Sequence, residues 1–416
     1  MPEHQRRAVI AGGGIGGLTA ALALHRKGWH VTVCERADGP SAVGAGIVLA
    51  PNALRAFDAV GFDAGRAGGG AAPAAMGLRR PSGVRLSRAD TATMTVRYGG
   101  PPLAVHRGDL VAALTAALPA DALRYGAAVT DVAAADGNRP VVRTSRGEFP
   151  ADVVIAADGI HSPLRRRYFP AHPGLRYSGE TAWRTVLPAG GAVTEATETW
   201  GRGRRFGAVP LADGRTYLYA TAVVPAGYRP EDVRTELLRH HGTWHHPIPA
   251  LLERVDPAAV LQHDLYDLAG PLPRLHDGRI AWIGDAAHAM TPNLGQGGCQ
   301  AVEDAVVLAH LLDALPPPAA LAAYSRARLA RTDAIRVRAR RAGRIAALTH
   351  PVAVAARDLA LRAVPARAAL RALDDLFDGF TLPGGPAEHP AQPACPGAPA
   401  VVVERVDRRA RRQANP

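Results

Sequence analysis

The stretch AVIAGGGIGGLTAALALHRKGWHVTVCER, residues 8–36, decides the fold. Residues 8–11 form a short apolar run, which reads as a buried strand. Residues 18–28 read as a helix with Leu18, Leu22 and Leu24 on its apolar face, and residues 31–34 as a second strand closed by Glu35. Between the first strand and the helix, Gly12, Gly14 and Gly17 fall in the spacing G-x-G-x-x-G. A strand–turn–helix–strand unit ending in an acid is the setting in which that spacing signals a dinucleotide. Gly12 permits the tight turn, Gly14 lets a pyrophosphate reach the backbone, and Gly17 lets helix and strand pack closely. The helix start offers free N–H groups and a positive dipole end to the phosphates. Glu35 stands where a carboxylate takes ribose hydroxyls, with Arg36 beside it. The motif by itself leaves NAD and FAD both open.

Working outward, two more turns follow buried strands. Residues 152–157 (DVVIAA) run into Asp158-Gly159, and residues 279–283 (RIAWI) into Gly284-Asp285. Ligands of α/β sheets lie at the carboxyl ends of strands, so the three turns are expected to form one site. Residues 51–57 begin a helix at Pro51, residues 62–73 read as a loop, and residues 83–86 and 93–96 as short strands. Residues 103–107 lead into a helix over 108–118, and strands are expected at 129–133 and 140–145. Between about 175 and 268 the pattern turns to short β runs (181–187, 206–210, 217–224) interrupted by a helix at 230–240. A long helix over 298–315 ends at Pro316-Pro317-Pro318, and residues 319–348 and 351–376 read as helical. From residue 384 on, Pro, Gly, Ala and Arg dominate, which predicts a disordered tail.

The chain has 416 residues and a formal charge of +12. Lys27 is the only lysine, so the charge is arginine in a chain rich in Ala, Gly and Pro. No zinc-finger spacing and no aromatic-plus-basic stripe accompanies it, so nucleic acid is not an expected partner. A positive field does attract anionic cofactors and substrates. Cys34, Cys299 and Cys395 are odd in number and far apart, which argues against a disulfide framework or a metal site. No apolar run spans a bilayer, so stable membrane insertion is not expected. Arg6-Arg7 imitates a twin-arginine signal, but cleavage after residues 21–23 would discard the nucleotide turn. A cytoplasmic monomer or homodimer is expected.

On three motifs in order the chain resembles the single-component FAD-dependent aromatic hydroxylases, the group that includes p-hydroxybenzoate, salicylate and urate hydroxylases. The motifs are the fingerprint with Glu35, ADGIHSPLRR at 157–166, and IGDAAHAMTPNLGQGGCQAVEDAVVLAHLL at 283–312. The resemblance covers residues 7–380 and lies nearest the urate and salicylate branch. It implies an α/β fold: a Rossmann-like FAD domain (1–75, 101–170, 271–317) interleaved with a β-rich substrate domain (76–100, 171–270), followed by C-terminal helices (318–383) and the tail (384–416). It implies that the fingerprint holds the ADP half of FAD, that Asp158 and Gly159 serve FAD and the nicotinamide cofactor, and that Asp285 holds the ribityl chain. Gly295, Gly297 and Gly298 would face the flavin's pyrimidine edge, while Gly46 (in GAGIVLAPN, 44–52) and Arg107 (in VHRGDL) contact the cofactor.

The implied chemistry is NADH- or NADPH-driven reduction of FAD and addition of O₂ at C4a. One oxygen atom of the flavin C4a-hydroperoxide then passes to an aromatic or heteroaromatic small molecule. Pro292 would lie close to the reacting oxygen. Arg205 and Tyr217 align with substrate contacts of the urate branch: a cation for a polar ring, and an aromatic with a proton route. His288 reads as structural rather than as a proton shuttle. His263 and Asp264 are neighbours, so only one of them can face the pocket from a strand. Two other readings use the same fold, a flavoprotein epoxidase or reductase acting on an isoprenoid and a non-catalytic flavin-binding redox protein.

Overall fold

The computed structural model describes residues 5–40, 45–134, 139–190 and 193–384. Strand Arg7–Ala11 lies inside a six-stranded sheet, between the parallel strands His30–Cys34 and Val153–Ala156, with Ile280–Trp282 parallel beyond the latter. Ala8, Val9, Ile10, Val153, Val154 and Ile155 are all buried. Helices cover both faces of such a sheet, which is why these strands read as unbroken apolar runs. Helix Ile15–His25 packs on helix Gly297–Ala314, and a Cβ on Gly16 would lie 3.1 Å from the Ala301 methyl.

A seven-stranded sheet forms the second layer. Its order is Leu261–Leu268, Leu175–Leu187, Thr216–Val223, Arg204–Pro210, Ala196–Trp200, Ala75–Arg79 and Arg85–Asp90. Side chains alternate along each strand. Trp183, Phe206, Leu218 and Ala220 pack against Leu237, Leu251 and Leu252 of helices Val233–His241 and Ile248–Glu253. The residues between them point the other way. Tyr217 and Val209 meet Ala45, Val48 and Ala104 of the first layer, on and beside strands Gly46–Leu49 and Leu103–His106. On this face the two layers meet through an apolar cluster.

Three local expectations change. Residues 93–96 belong to a helix, Thr91–Tyr98. Their β-branched composition reads as strand, but the Asp90 carboxylate accepts from Thr93 N at 3.1 Å and caps the helix start. Gly99 ends it at φ 78°. Residues 62–73 contain a short helix, Ala64–Ala67. Residues 351–376 form two helices, Pro351–Ala363 and Ala366–Phe377, because Pro365 has no N–H to continue the first. Residues 385–416, most of the expected disordered tail, lie outside the described residues.

Candidate functional site

In the parallel sheet Ala11 pairs with both Cys34 and Ala156, and Ala156 pairs with Trp282. The chain therefore leaves four neighbouring strands at one edge, through Gly12, Glu35, Asp158 and Asp285. Direct contacts bind the turns together. Gly12 has φ 108°, and a Cβ there would fall 2.4 Å from Ala157 O. Glu35 Oε2 accepts from Gly13 N at 2.7 Å and Oε1 from Ala37 N at 2.9 Å; Arg36 beside it is exposed. The buried Arg165 donates to Asp285 O at 3.2 Å, to Ala286 O at 3.0 Å and to Ile160 O, joining the second turn to the third. Gly159 takes φ 79° beside Asp158.

This edge is prepared for a dinucleotide. Helix Ile15–His25 starts at Gly14 and helix Gly297–Ala314 at Gln296; neither start has a side-chain cap or an acid in its first turn. Their free N–H groups and positive dipole ends are available to a ligand. A Cβ on Gly14 would meet nothing within 4 Å. The Asp285 side chain is exposed, and Asp158 Oδ1 is buried with no hydrogen-bond partner. Burial pushes the Asp158 carboxyl up, with Ser162 and the Leu164 N–H pulling back. There is room for a pyrophosphate over Gly14, the Glu35 and Asp285 carboxylates can accept from hydroxyls, and the positive end at the second helix start favours a ring edge on which negative charge collects. Gly295 turns the chain there at φ 64°, and Gly297 stands beside Asp285, where a Cβ would be 3.8 Å from Oδ1. A Cβ on Gly298 would lie 2.7 Å from Ile47 Cδ1, so strand Gly46–Leu49 rests on this helix start. Arg107 N donates to Ala45 O at 2.9 Å while its side chain stays exposed. Gly46 touches the opposite layer: a Cβ there would fall 2.4 Å from Tyr217 Cγ, so only glycine admits that ring.

The second layer presents Arg205, Tyr217, Tyr219, Arg184 and His263 on the face toward the first. Register fixes this, because Arg205 pairs with Thr221, Thr221 with Ala182, and Ala182 with His263. Asp264 pairs with Thr181 and turns away, accepting from Thr181 Oγ1 at 2.8 Å and Gly227 N at 2.7 Å. Burial pushes the Tyr217 phenol up, against the pull of the neighbouring Arg184 guanidinium. Arginine carries donors only, so the phenol's own hydrogen stays available to another acceptor. Burial, then Arg184, Arg107 and Arg229, lower the His263 imidazole below 6.5, against Asp264. Arg205 is 3 % exposed and bonds Glu180, Thr221 and Asn293. Pro292 opens the short turn Pro292–Leu294. Tyr177 donates to Val224 O at 2.7 Å and Trp183 fills the helix-side core, so both are scaffold.

Behind the helix start lies a buried polar network that the sequence reading missed. Asn52 Nδ2 donates to Gln296 Oε1 at 3.0 Å and Glu303 Oε1 at 2.6 Å. Arg328 binds Glu303 at 2.5 Å and Asp304 at 2.7 Å, and Arg331 binds Glu303 at 2.9 Å. His288 lies 2.5 Å from Asp304, which also accepts from Gly284 N at 2.9 Å. This makes His288 part of the support under the third turn. Arg165, Arg328 and Asn293 are equally absent from the sequence reading, since nothing local separates a buried arginine from the exposed ones around it. Burial raises the Asp304 carboxyl, but His288 and Arg328 outweigh it and hold the group at about 2, against an ordinary 3.8. A depressed carboxylate stabilises the fold above its unfolded pKa and loses that effect as pH falls through the folded one. Asp304 is expected to contribute roughly 2 kcal/mol at neutral pH, lost between about pH 4 and pH 2. Thermal unfolding across that window, in the protein and in Asp304→Asn, checks it: the variant's acid limb should be shallower.

The family model described as "FAD binding domain" matches residues 5–339. The chain is 41 % identical over 331 residues to the aurachin C monooxygenase/isomerase of Stigmatella aurantiaca, across 78 % of this chain and 85 % of that one. It is 34 % identical over 379 residues to the 2-heptyl-3-hydroxy-4(1H)-quinolone synthase of Pseudomonas aeruginosa (strain UCBPP-PA14), across 89 % and 97 %. The crystal structure of Klebsiella pneumoniae HpxO complexed with FAD and uric acid superposes with a TM-score of 0.84 at 29 % identity, covering 91 % of this chain and 98 % of that one.

Proposed function

From the premise that this chain belongs to the family of FAD-dependent aromatic monooxygenases, we propose that it uses NADH or NADPH and O₂ to hydroxylate a fused-ring nitrogen heteroaromatic bearing a ring N–H and carbonyl, of the 4-quinolone kind. The observation that carries this reading is the pairing of two uncapped helix starts and the Asp285 carboxylate with a facing sheet that offers Tyr217, Arg184 and His263. Residues 1–75, 101–170 and 271–317 hold the cofactor, and residues 76–100 and 171–270 hold the substrate. The relatives' products and ligands support the substrate class: one makes a hydroxylated 4(1H)-quinolone, and another binds uric acid. Both are fused ring systems that carry a ring N–H and a ring carbonyl.

Bound FAD would supply the electrons for O₂ and the delivery of one oxygen atom. Gly14 and its helix start hold the pyrophosphate, and Glu35 and Asp285 hold hydroxyls. Gly295, Gly297 and Gly298 face the ring edge, and Pro292 walls the reacting side. The substrate must be electron-rich to accept an electrophilic oxygen. His263, whose imidazole is held below its ordinary range, takes the ring proton at an imidazole nitrogen, while Arg184 holds the oxygen on which negative charge collects. Tyr217 donates its hydroxyl hydrogen to the substrate carbonyl and fixes the ring's orientation.

A screen of quinolones and purines measuring nicotinamide oxidation together with product mass tests the reading. A product heavier by one oxygen atom supports it; flavin-loaded protein that forms only hydrogen peroxide with every candidate overturns it. His263→Gln is expected to lower kcat/KM by about 10²-fold and to remove the acid limb of its pH profile, which in the parent lies on the acid side of an ordinary imidazole. Tyr217→Phe keeps the ring against Gly46 and loses the donor, so KM is expected to rise on the order of 10-fold.

A further inference from the structure

Asn293 joins the two layers at the turn Pro292–Leu294. Its Oδ1 accepts from Arg205 Nη1 at 2.6 Å, and its Nδ2 donates to Thr291 Oγ1 at 2.9 Å and to Ala339 O at 3.2 Å. Gly343 makes room for it on the long helix Pro317–Ala346, where a Cβ would fall 2.3 Å from Asn293 Nδ2. On the sheet side, Arg205 Nη2 donates to Glu180 Oε1 at 2.9 Å and Nε to Thr221 Oγ1 at 3.1 Å, and Glu198 Oε1 lies 3.5 Å from Nη1. The guanidinium is thus 3 % exposed, with two carboxylates against its one charge. A cation so offset has little field left for an anionic ligand. Arg184, on the same face, pairs with no carboxylate among the described residues and keeps its field.

We propose that Arg205 is a positioning residue. It acts through Asn293 to fix the turn Pro292–Leu294, and with it the wall between cofactor and substrate, and it does not grip the substrate itself. Glu180, Glu198 and Thr221 hold the guanidinium in the one orientation that reaches Asn293 Oδ1, and the Ala339 carbonyl holds the amide from the far side. The turn is in this way tied at once to the substrate sheet and to the long helix. The proposal rests on the monooxygenase reading for what the turn separates.

The test uses FAD-loaded protein carrying Asn293→Ala, Arg205→Gln or both. Three quantities are read: the visible circular dichroism of bound FAD, which needs no turnover; KM against kcat; and the fraction of nicotinamide oxidation that ends as hydrogen peroxide. The expected result is the same dichroism change in both single variants, a severalfold larger peroxide fraction and a KM within about 2-fold of the parent. The double variant should be no worse than either single one, because both break one link. A KM raised on the order of 10-fold or more by Arg205→Gln, with Asn293→Ala unchanged in every reading, overturns the proposal. Arg205→Gln strips Glu180 and Glu198 of their cation, so where it does not fold, Asn293→Ala decides alone: that variant leaves the ion pairs intact, and parent-like dichroism and coupling overturn the proposal. Colourless parent protein sinks the monooxygenase reading and this proposal together; coloured protein indifferent to Asn293→Ala sinks this proposal only.

Discussion

Gly17→Ala protein is expected to leave purification colourless, while Gly14→Ala protein folds normally and binds FAD weakly. The two glycines differ in what surrounds them. A Cβ on Gly17 would fall 2.0 Å from Gly12 O and 3.3 Å from the Ala157 methyl, and on Gly14 it would meet no protein atom within 4 Å. The Gly12 carbonyl is backbone in a turn already held at φ 108° against Ala157, so it cannot give way without moving the whole loop. Gly17→Ala should therefore cost about 1–3 kcal/mol of overpacking and displace the N–H groups meant for the pyrophosphate. FAD affinity should fall by on the order of 100-fold, equivalent to about 2.7 kcal/mol. Gly14→Ala leaves the turn intact, loses roughly 0.5–1 kcal/mol at the helix N-cap, and sets a methyl where the phosphate must approach. Flavin absorbance per protein and the melting temperature of both variants check this. Equal melting temperatures with equal flavin content would refute the distinction.

Arg328→Met should be the most destabilising single change among the side chains named here. Its guanidinium lies between Glu303 and Asp304, which are both fully buried. Removing it leaves Arg331 on Glu303 and His288 on Asp304, with two carboxylates short of a cation in a site closed to water. Breaking a buried ion pair in this way typically costs about 3–5 kcal/mol. The damage should also reach the cofactor, because Asp304 holds Gly284 N and Glu303 holds Asn52, so the third turn and the start of helix Pro51–Ala59 lose their footing together. The measurement is denaturant unfolding with and without FAD. Adding Glu303→Gln and Asp304→Asn to Arg328→Met should recover part of the loss, since neutral amides bury more cheaply than bare carboxylates. No recovery would mean that packing, not charge, sets the cost.

Much of this molecule was legible along the chain because its cofactor edge is built from local signals. Each turn follows its own apolar strand, and Gly17 answers to the Gly12 carbonyl within the same turn. Gly12, Gly14 and Gly17, with Glu35, form a unit 24 residues long, readable without knowing what lies beside it. The helix Thr91–Tyr98 shows the limit of that approach: β-branched residues argued for a strand, and one carboxylate at Asp90 decided otherwise.

The sequence by itself determined the parallel sheet, the three turns at strand ends and their order, since apolar runs and glycine spacing are properties of short segments. Only the tertiary structure decided which side chains meet across the layers. Strand pairing put His263 on the sheet face toward the first layer and Asp264 on the opposite face, seated Tyr217 in the gap left by Gly46, and joined Arg205 to Asn293 across 88 positions of chain. Such pairings depend on register between distant segments, and register is set by the packing of whole sheets rather than by any residue's neighbours in sequence.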